Sequence, residues 1–269
     1  MRIQNQAWMT LTNNRVQKNQ SSITKTLEKL SGGDKIVRAA QNASGLSVSE
    51  SLRAQIRGLS RAQLNMQDGL SVLETTDSGL QSVNTALSRA RELAVQAANE
   101  TLTKDDRLAS QKELDQLMSS IDDTADYLEF NTNKVLSEIR PLYIQVGSNS
   151  GQSLAIDTVD VSTRALGLEN ASIKTREDAD ALITKIDEVT SKISKDLSKV
   201  GTDYKALEHH LQNTSNTNEN LQKAESLIRD PDMALEMMDF VKQGIQEKGT
   251  TLLINQTNSN VKSVLGLFN

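Results

Sequence analysis

The sequence of 269 residues contains no cysteine, two prolines and only 3% aromatic residues. Without cysteine the chain has no disulfide, no thiolate metal ligand and no cysteine nucleophile. No stretch approaches a run of about 18 apolar residues, so a transmembrane helix is not expected, and the polar N-terminus lacks the apolar region of a secretory signal peptide. The apolar content of 36% is low for a globular domain of this size. Such a low content of apolar and aromatic side chains favours narrow helix–helix seams over a thick layered core.

The charge and the motifs argue against nucleic-acid binding, membrane binding and catalysis. The net charge is −5 and the pI is near 5.3, which gives no reason to expect nucleic acid or an anionic membrane as a partner. The sequence has no H-E-x-x-H, G-x-S-x-G or P-loop motif. The neighbouring His209 and His210 would point about 100° apart on a helix, so they cannot chelate one ion by themselves. We predict no enzyme activity, no cofactor and no metal site.

The longest periodic segment runs from Ser44 to Asn99. Apolar residues recur there at every seventh position, which is typical of a helix packed along a partner helix. At 1.5 Å per residue such a helix would be roughly 80 Å long. The column consists of Leu52, Leu59, Met66, Leu73, Leu80, Leu87 and Ala94. We therefore predict a rod-like protein whose function depends on shape and association.

Three further segments complete the predicted rod. Thr103 is a candidate N-cap for a shorter helix that folds back on the first as an antiparallel hairpin. The period then changes to that of a β-hairpin near residues 142–161. A second long helix begins at about Thr175 and ends before Pro231, because proline lacks the amide hydrogen and restricts the preceding residue. Its seven-residue column is Ile186, Ile193, Val200, Leu207, Thr214, Leu221 and Ile228.

We predict two weakly amphipathic arms beside this rod. The N-terminal arm covers residues 1–41, the rod with its hairpin covers 42–232, and the C-terminal arm covers 233–269. Polar residues dilute the apolar stripe of each arm, so neither is a stable helix alone. If the long helices are antiparallel, both arms lie at one end and pair with each other and with neighbouring subunits. The predicted fold class is mainly α: a long antiparallel coiled-coil-like helical rod with a small β-hairpin region and amphipathic terminal helical arms.

Several motifs, in this order and at these distances from the two ends, resemble those of bacterial flagellins. They are SGLSVSESLRAQIRGL (44–59), NMQDGLSVLETTDSGL (65–80), SRARELAVQAAN (88–99), LEFNTNKVL (128–136), IQVGSNSGQSLAID (144–157) and AESLIRDPDMALEMMDF (224–240). The resemblance implies a structural subunit that polymerises into the flagellar filament for motility. In such a filament the arms form an inner tube and the rods form an outer tube. Because only a short segment separates the short helix from the second long helix, the chain resembles the minimal form without variable outer domains.

The resemblance also implies partners and a location. The partners would be other copies of the chain, a flagellar export chaperone on the C-terminal arm, the filament cap, hook-junction proteins and the innate flagellin receptor of vertebrates. The filament would be extracellular, and its subunit would leave through the flagellar secretion apparatus without a cleaved signal peptide. Two other classes stay open. A hook–filament junction protein has related ends, whereas a coiled-coil adaptor or signalling protein would show regular heptads without the hairpin.

Two groups of residues are candidate assembly contacts. In flagellins the positions that match Arg89, Arg91, Leu93 and Glu113 lie on the surface used for axial subunit packing and for receptor recognition. Arg89 and Leu93 are four residues apart, which predicts a shared outward face of the long helix, with Glu113 alongside on the returning helix. The resemblance places a second group in the inner tube. Its members are the apolar residues Ile3, Leu27, Met237, Phe240, Val264, Leu265, Leu267 and Phe268.

Overall fold

The structure, a computed structural model, describes residues 5–266, and the chain divides into two compact units. We call residues 1–54 and 220–269 the terminal unit and residues 55–219 the central unit. The elements are α1 (Asn5–Gly32), α2 (Ala43–Ala97), α3 (Lys104–Tyr127), β1 (Glu129–Phe130), β2 (Asn133–Lys134), β3 (Pro141–Gln145), β4 (Ser153–Asp157), α4 (Arg176–Arg229) and α5 (Met233–Gly266). Helices α2 and α4 each continue from one unit into the other.

The central unit is built around one apolar core that α2, α3 and α4 share. The seven-residue columns face this core from Met66 to Ala94 on α2 and from Ile186 to Leu207 on α4. Met66 and Leu80 on α2 and Ile186 and Ile193 on α4 have no exposed surface. Side chains at this spacing lie on one face of a helix, so each column packs as a continuous seam. The predicted mainly α fold with two long helices is confirmed.

Side-chain pairs in the central unit show the direction in which α2 and α4 run. As the residue number falls along α2, the number of the α4 partner rises. The two helices are therefore antiparallel in this unit, as predicted. The pairs are Arg91 with Asp187, Glu74 with Tyr204, and Ser60 with Asn218.

Thr103 caps the N-terminus of α3, as predicted. Its hydroxyl oxygen accepts a hydrogen bond from the backbone N–H of Asp106 at 3.2 Å, and its own backbone N–H donates to the Asp106 carboxylate at 3.2 Å. The Thr103 hydroxyl also donates to this carboxylate at 2.7 Å, and these bonds lower the pKa of Asp106 below its usual value. This reciprocal arrangement satisfies N–H groups that the first turn of a helix leaves unpaired.

Two short β-hairpins follow α3. The predicted hairpin is confirmed as β3 and β4, which pair antiparallel from Pro141 opposite Asp157 to Gln145 opposite Ser153. A second, smaller hairpin, β1 with β2, was not predicted. Its turn contains Asn131 and Thr132 with positive φ angles of 48° and 65°. A two-residue turn of this kind needs left-handed backbone, which asparagine tolerates and a β-branched threonine does not favour.

The segment between β4 and α4 has little regular structure but covers the core. The Asp122 carboxylate accepts hydrogen bonds from the backbone N–H and the hydroxyl of Thr163, both at 2.8 Å. The side-chain oxygen of Gln111 accepts the backbone N–H of Ile173 at 2.7 Å. Leu168 and Ile173 are thereby placed in the core, where each is at most 1% exposed.

In the terminal unit, Arg229 at the end of α4 holds the connection between α1 and α2. Its guanidinium donates to both carboxylate oxygens of Asp34, at 2.9 and 3.3 Å, and to Glu50 on α2 at 2.7 Å. The backbone carbonyl of Arg229 accepts the N–H of Lys35 at 2.6 Å. These charge-assisted bonds raise the pKa of Arg229 above its usual value. One side chain thus ties the loop after α1 to two helices of this unit.

Candidate assembly surfaces

Arg89 and Glu113, predicted to lie together, form an exposed ion pair between α2 and α3. Arg89 Nη2 is 2.7 Å from Glu113 Oε1, and Arg89 Nη1 is 2.8 Å from Oε2 of Glu92. The hydrogen bonds to Glu113 and Glu92 raise the pKa of Arg89. The side chains of Arg89 and Glu113 are 51% and 44% exposed, so a partner can reach both. We call Arg89, Glu92 and Glu113 the acidic–basic patch.

Arg91 does not belong to this patch. It lies about 200° around the helix from Arg89. Its Nε donates to Oδ1 of Asp187 on α4 at 2.7 Å, and its Nη2 donates to Oδ2 at 3.4 Å. These bonds lower the pKa of Asp187 and raise that of Arg91. The structure therefore brings Arg89 and Glu113 together and places Arg91 at the junction of α2 with α4.

The prediction that Leu93 faces outward is wrong. Leu93 is 2% exposed and belongs to the apolar core. Around the helix it lies about 40° from Arg89, on the side towards Ala97 and Ala90, which are also fully buried. Arg89 reaches α3 and Arg91 reaches α4, so α2 has a helix on both sides at this level. The arc between the two arginines, which contains Leu93, is therefore covered.

The contact between α1 and α5 in the terminal unit is largely polar. Lys29 Nζ lies 2.7 Å from Glu236 Oε1, and the Asn19 amide donates to the carbonyl of Gln243 at 2.9 Å. Half-buried positions on α5 repeat with alternating steps of four and three residues, which is the spacing of a helix seam. They are Glu236, Phe240, Gln243, Glu247, Thr250, Ile254 and Thr257. Such a seam removes little apolar surface from water.

The apolar stripe of α5 lies on the other side of the helix and is exposed. We define it by five residues spaced three, three, four and seven apart, centred roughly opposite the polar seam. Between 54% and 67% of each of these side chains is exposed. The five are Leu235, Met238, Val241, Ile245 and Leu252. Among the described residues, 29 apolar side chains are buried, and only Ile36 of these belongs to the terminal unit. The terminal unit therefore presents apolar surface that the single chain leaves in water.

The predicted inner-tube residues are only partly accounted for by the structure. Leu27 and Met237 are 52% and 55% exposed, and Phe240 is half-buried in the seam. Ile3, Leu267 and Phe268 lie outside the described residues, as do the side chains of Val264 and Leu265. All five residues of the exposed stripe are missing from the predicted set: Leu235, Met238, Val241, Ile245 and Leu252. The seven-residue spacing of Met238, Ile245 and Leu252 could have revealed them.

Residues 5–266 hold neither a membrane-spanning helix nor a cluster of metal ligands. No helix there combines the length and apolar character needed to cross a membrane. No group of three or more potential metal ligands comes together in the same range. His209 and His210 are both exposed on α4.

Comparisons with known proteins point in one direction. A family model described as the bacterial flagellin N-terminal helical region matches residues 3–140, and one described as the bacterial flagellin C-terminal helical region matches residues 183–268. A flagellin of Halalkalibacterium halodurans is 41% identical over 246 residues, covering 90% of both chains. A flagellin of Bacillus subtilis is 35% identical over an alignment of 303 positions, covering 99% of both.

Solved structures agree with these sequence matches. The crystal structure of Bacillus cereus flagellin is similar with a TM-score of 0.52 and 33% identity, over 56% of this chain and 88% of that one. A putative flagellar hook-associated protein from Vibrio parahaemolyticus has a TM-score of 0.58 at 14% identity, over 70% of this chain and 99% of that one. At such low identity the second likeness is one of fold alone.

Proposed function

The chain belongs to the bacterial flagellin family, and from this premise we propose how its parts serve the flagellar filament. As a flagellin it is a structural subunit of that extracellular helical polymer, which bacteria use for motility. We propose no enzymatic role for it. Our assignment divides the chain into arms at 1–41 and 233–269, which form an inner tube, and a rod at 42–232, which forms an outer tube. Export through the flagellar secretion apparatus without a cleaved signal peptide is part of the same proposal.

The apolar stripe on α5 is proposed as a contact between copies in the inner tube. The supporting observation is that this stripe is exposed on the side opposite the polar seam with α1. Burying one such side chain fully contributes roughly 1.5–3 kcal/mol. The stripe has five, so association of many copies gains stability that the single chain lacks. This accounts for a terminal unit with so little core of its own.

Assembly of the variant Ile245→Asp tests this contact. An aspartate at the centre of the stripe places a charge where the neighbouring copy packs, so we expect no filaments in electron micrographs. Asn255→Asp is the matched control, because Asn255 is exposed on the same helix but outside the stripe. Both variants should keep the circular-dichroism spectrum of the parent. Filaments of normal length from Ile245→Asp would exclude the stripe as a contact.

The acidic–basic patch is proposed as a second contact, with the next subunit along the filament. The supporting observation is an ion pair that is half-exposed and joins two helices of the rod. Water screens an exposed pair of this kind and the pair adds little stability, so removing one partner should leave the fold intact. We expect Glu113→Ala to melt like the parent and to assemble at a higher critical concentration. Unchanged assembly would remove the patch from the contact.

Recognition of this patch by the vertebrate flagellin receptor is a further proposal, which rests on the matched positions of Arg89 and Glu113. A cell assay for receptor signalling with monomeric Arg89→Ala and Glu113→Ala tests it, and signalling at the parental level would contradict it. We also propose an export chaperone for the C-terminal arm, and the filament cap and hook-junction proteins as neighbours. A role as a hook–filament junction protein is the weaker alternative, because hook-associated structures resemble this chain in fold alone.

A further inference from the structure

The charges of the chain are divided unevenly between its two units. The terminal unit has 13 Lys and Arg against 9 Asp and Glu, a net charge of +4, whereas the central unit has 17 against 26, a net charge of −9. Separate surfaces of opposite sign attract each other when two molecules meet. The overall charge of −5 hides this division.

Four cations of the terminal unit form a row on α1. Arg15, Lys18, Lys25 and Lys29 follow one another at steps of three, seven and four residues, the spacing of a single helix face. Lys29 binds Glu236 at 2.7 Å. Arg15, Lys18 and Lys25 are exposed and form no ion pair within the part of the chain that the structure describes.

A groove between α1 and α5 runs beside this row. Two cavities of about 790 and 970 Å³ adjoin along it, since Ser22, Asp239 and Gln243 line both. Lys242 lines one cavity and Lys35 lines the other. The groove thus has six cationic side chains against two carboxylates, and one of these carboxylates already binds Lys29. Its surface is both concave and basic.

We propose that this basic groove binds an acidic helical face in the central unit of a second copy of the chain. The face that fits carries Glu177, Asp180 and Glu188, which are exposed on one side of the first turns of α4 and form no ion pair within residues 5–266. It extends over roughly 17 Å, and the cationic row on α1 extends over roughly 21 Å. The inference rests on the proposed function, because a filament brings the basic groove of one copy and the acidic face of another together repeatedly along its length.

Charge reversal in the groove tests the proposal, with the variant Lys18→Glu/Lys25→Glu. We expect its critical concentration for assembly to rise about tenfold at about 0.15 M salt, because like charges then face each other. At about 1 M salt the difference should shrink, since the screening length falls from about 8 Å to about 3 Å. The control is Arg57→Glu/Arg61→Glu, which changes the net charge equally at exposed positions of α2 in the central unit, away from the acidic face and without an ion pair in the described range. It should assemble like the parent.

A charge swap tests whether the two surfaces touch. Adding Glu177→Lys and Glu188→Lys to the groove variant restores opposite charges across the proposed contact, so its critical concentration should return to within about threefold of the parent's. A swap that fails to restore assembly, or a groove variant that assembles like its control, overturns the proposal. Failure of the parent itself to form filaments would instead refute the proposed function.

Discussion

Replacing Leu93 by aspartate tests the boundary between core and assembly surface. Leu93 is 2% exposed and lies among Ala90, Ala94 and Ala97, none of which has exposed surface. Truncating a buried leucine to alanine costs about 2–5 kcal/mol, partly through the cavity that remains. An aspartate at the same place also buries a carboxylate without a partner, which costs several kcal/mol more. Folded domains have a stability of only about 5–15 kcal/mol, so we expect Leu93→Asp to leave the central unit largely unfolded.

Urea unfolding followed by circular dichroism measures this effect. Leu93→Ala should lower the free energy of unfolding by about 3 kcal/mol with little change in the spectrum. Val95→Asp is the control, because Val95 lies two residues further along α2 and is 49% exposed. We expect that variant to stay within about 0.5 kcal/mol of the parent. If Leu93→Asp unfolds at the parental urea concentration, residue 93 faces outward and its placement in the core is refuted.

Three further variants test other parts of the structure. Arg229→Gln removes the bidentate pair with Asp34, so the loop after α1 should open more often. A loss of about 1–2 kcal/mol would make hydrogen exchange at the Lys35 amide about 5–30-fold faster. Unchanged exchange would contradict the role of Arg229. Asp196→Asn removes a half-buried carboxylate. Its buried Oδ2 has no hydrogen-bond partner in the described residues, and burial raises the pKa of Asp196. A pKa that is raised in the folded state stabilises the protein at low pH, and this stability is lost as the pH rises through the pKa. The variant should therefore melt at a higher temperature than the parent near pH 7 and at the same temperature near pH 3. A difference in melting temperature that persists near pH 3 would show that titration of Asp196 is not its cause. Thr132→Gly relieves a β-branched residue at φ 65° and should raise the unfolding free energy by about 1 kcal/mol, whereas a lower value would show that Thr132 is not strained.

The long helices could be predicted from the sequence because every position of their seven-residue columns except Thr214 carries an apolar residue. Met66 and Ile193 illustrate this, since each stands in a seven-residue column and each is fully buried. Leu93 could not be placed in the same way. A column of period seven describes one seam with one partner, whereas α2 near Leu93 has neighbours on two sides. Leu93 is buried because α3 covers that face of α2. The seven-residue repeat of α2 gives no information about where α3 packs.

The hydrophobic periodicity of the sequence also does not predict contacts between distant parts of the chain. Arg91 binds Asp187, 96 residues away, and this pairing depends on the register between α2 and α4. The small β1–β2 hairpin was missed because each strand has two residues and its turn contains no glycine. Asn131 was the only turn signal there. The exposed stripe on α5, in contrast, was readable from the spacing of Met238, Ile245 and Leu252.

The position of Trp8 gives the chain an optical signal of its own. Trp8 is the only tryptophan in the sequence, it is 71% exposed, and it lines a cavity of about 530 Å³ together with Met9 and Ile254. An indole in contact with water emits fluorescence at longer wavelength than one in apolar surroundings. The emission of the unlabelled protein therefore reports whether another molecule covers this part of α1. Because the central unit contains no tryptophan, events confined to it leave that signal unchanged, and covering of the terminal unit can be followed separately in time.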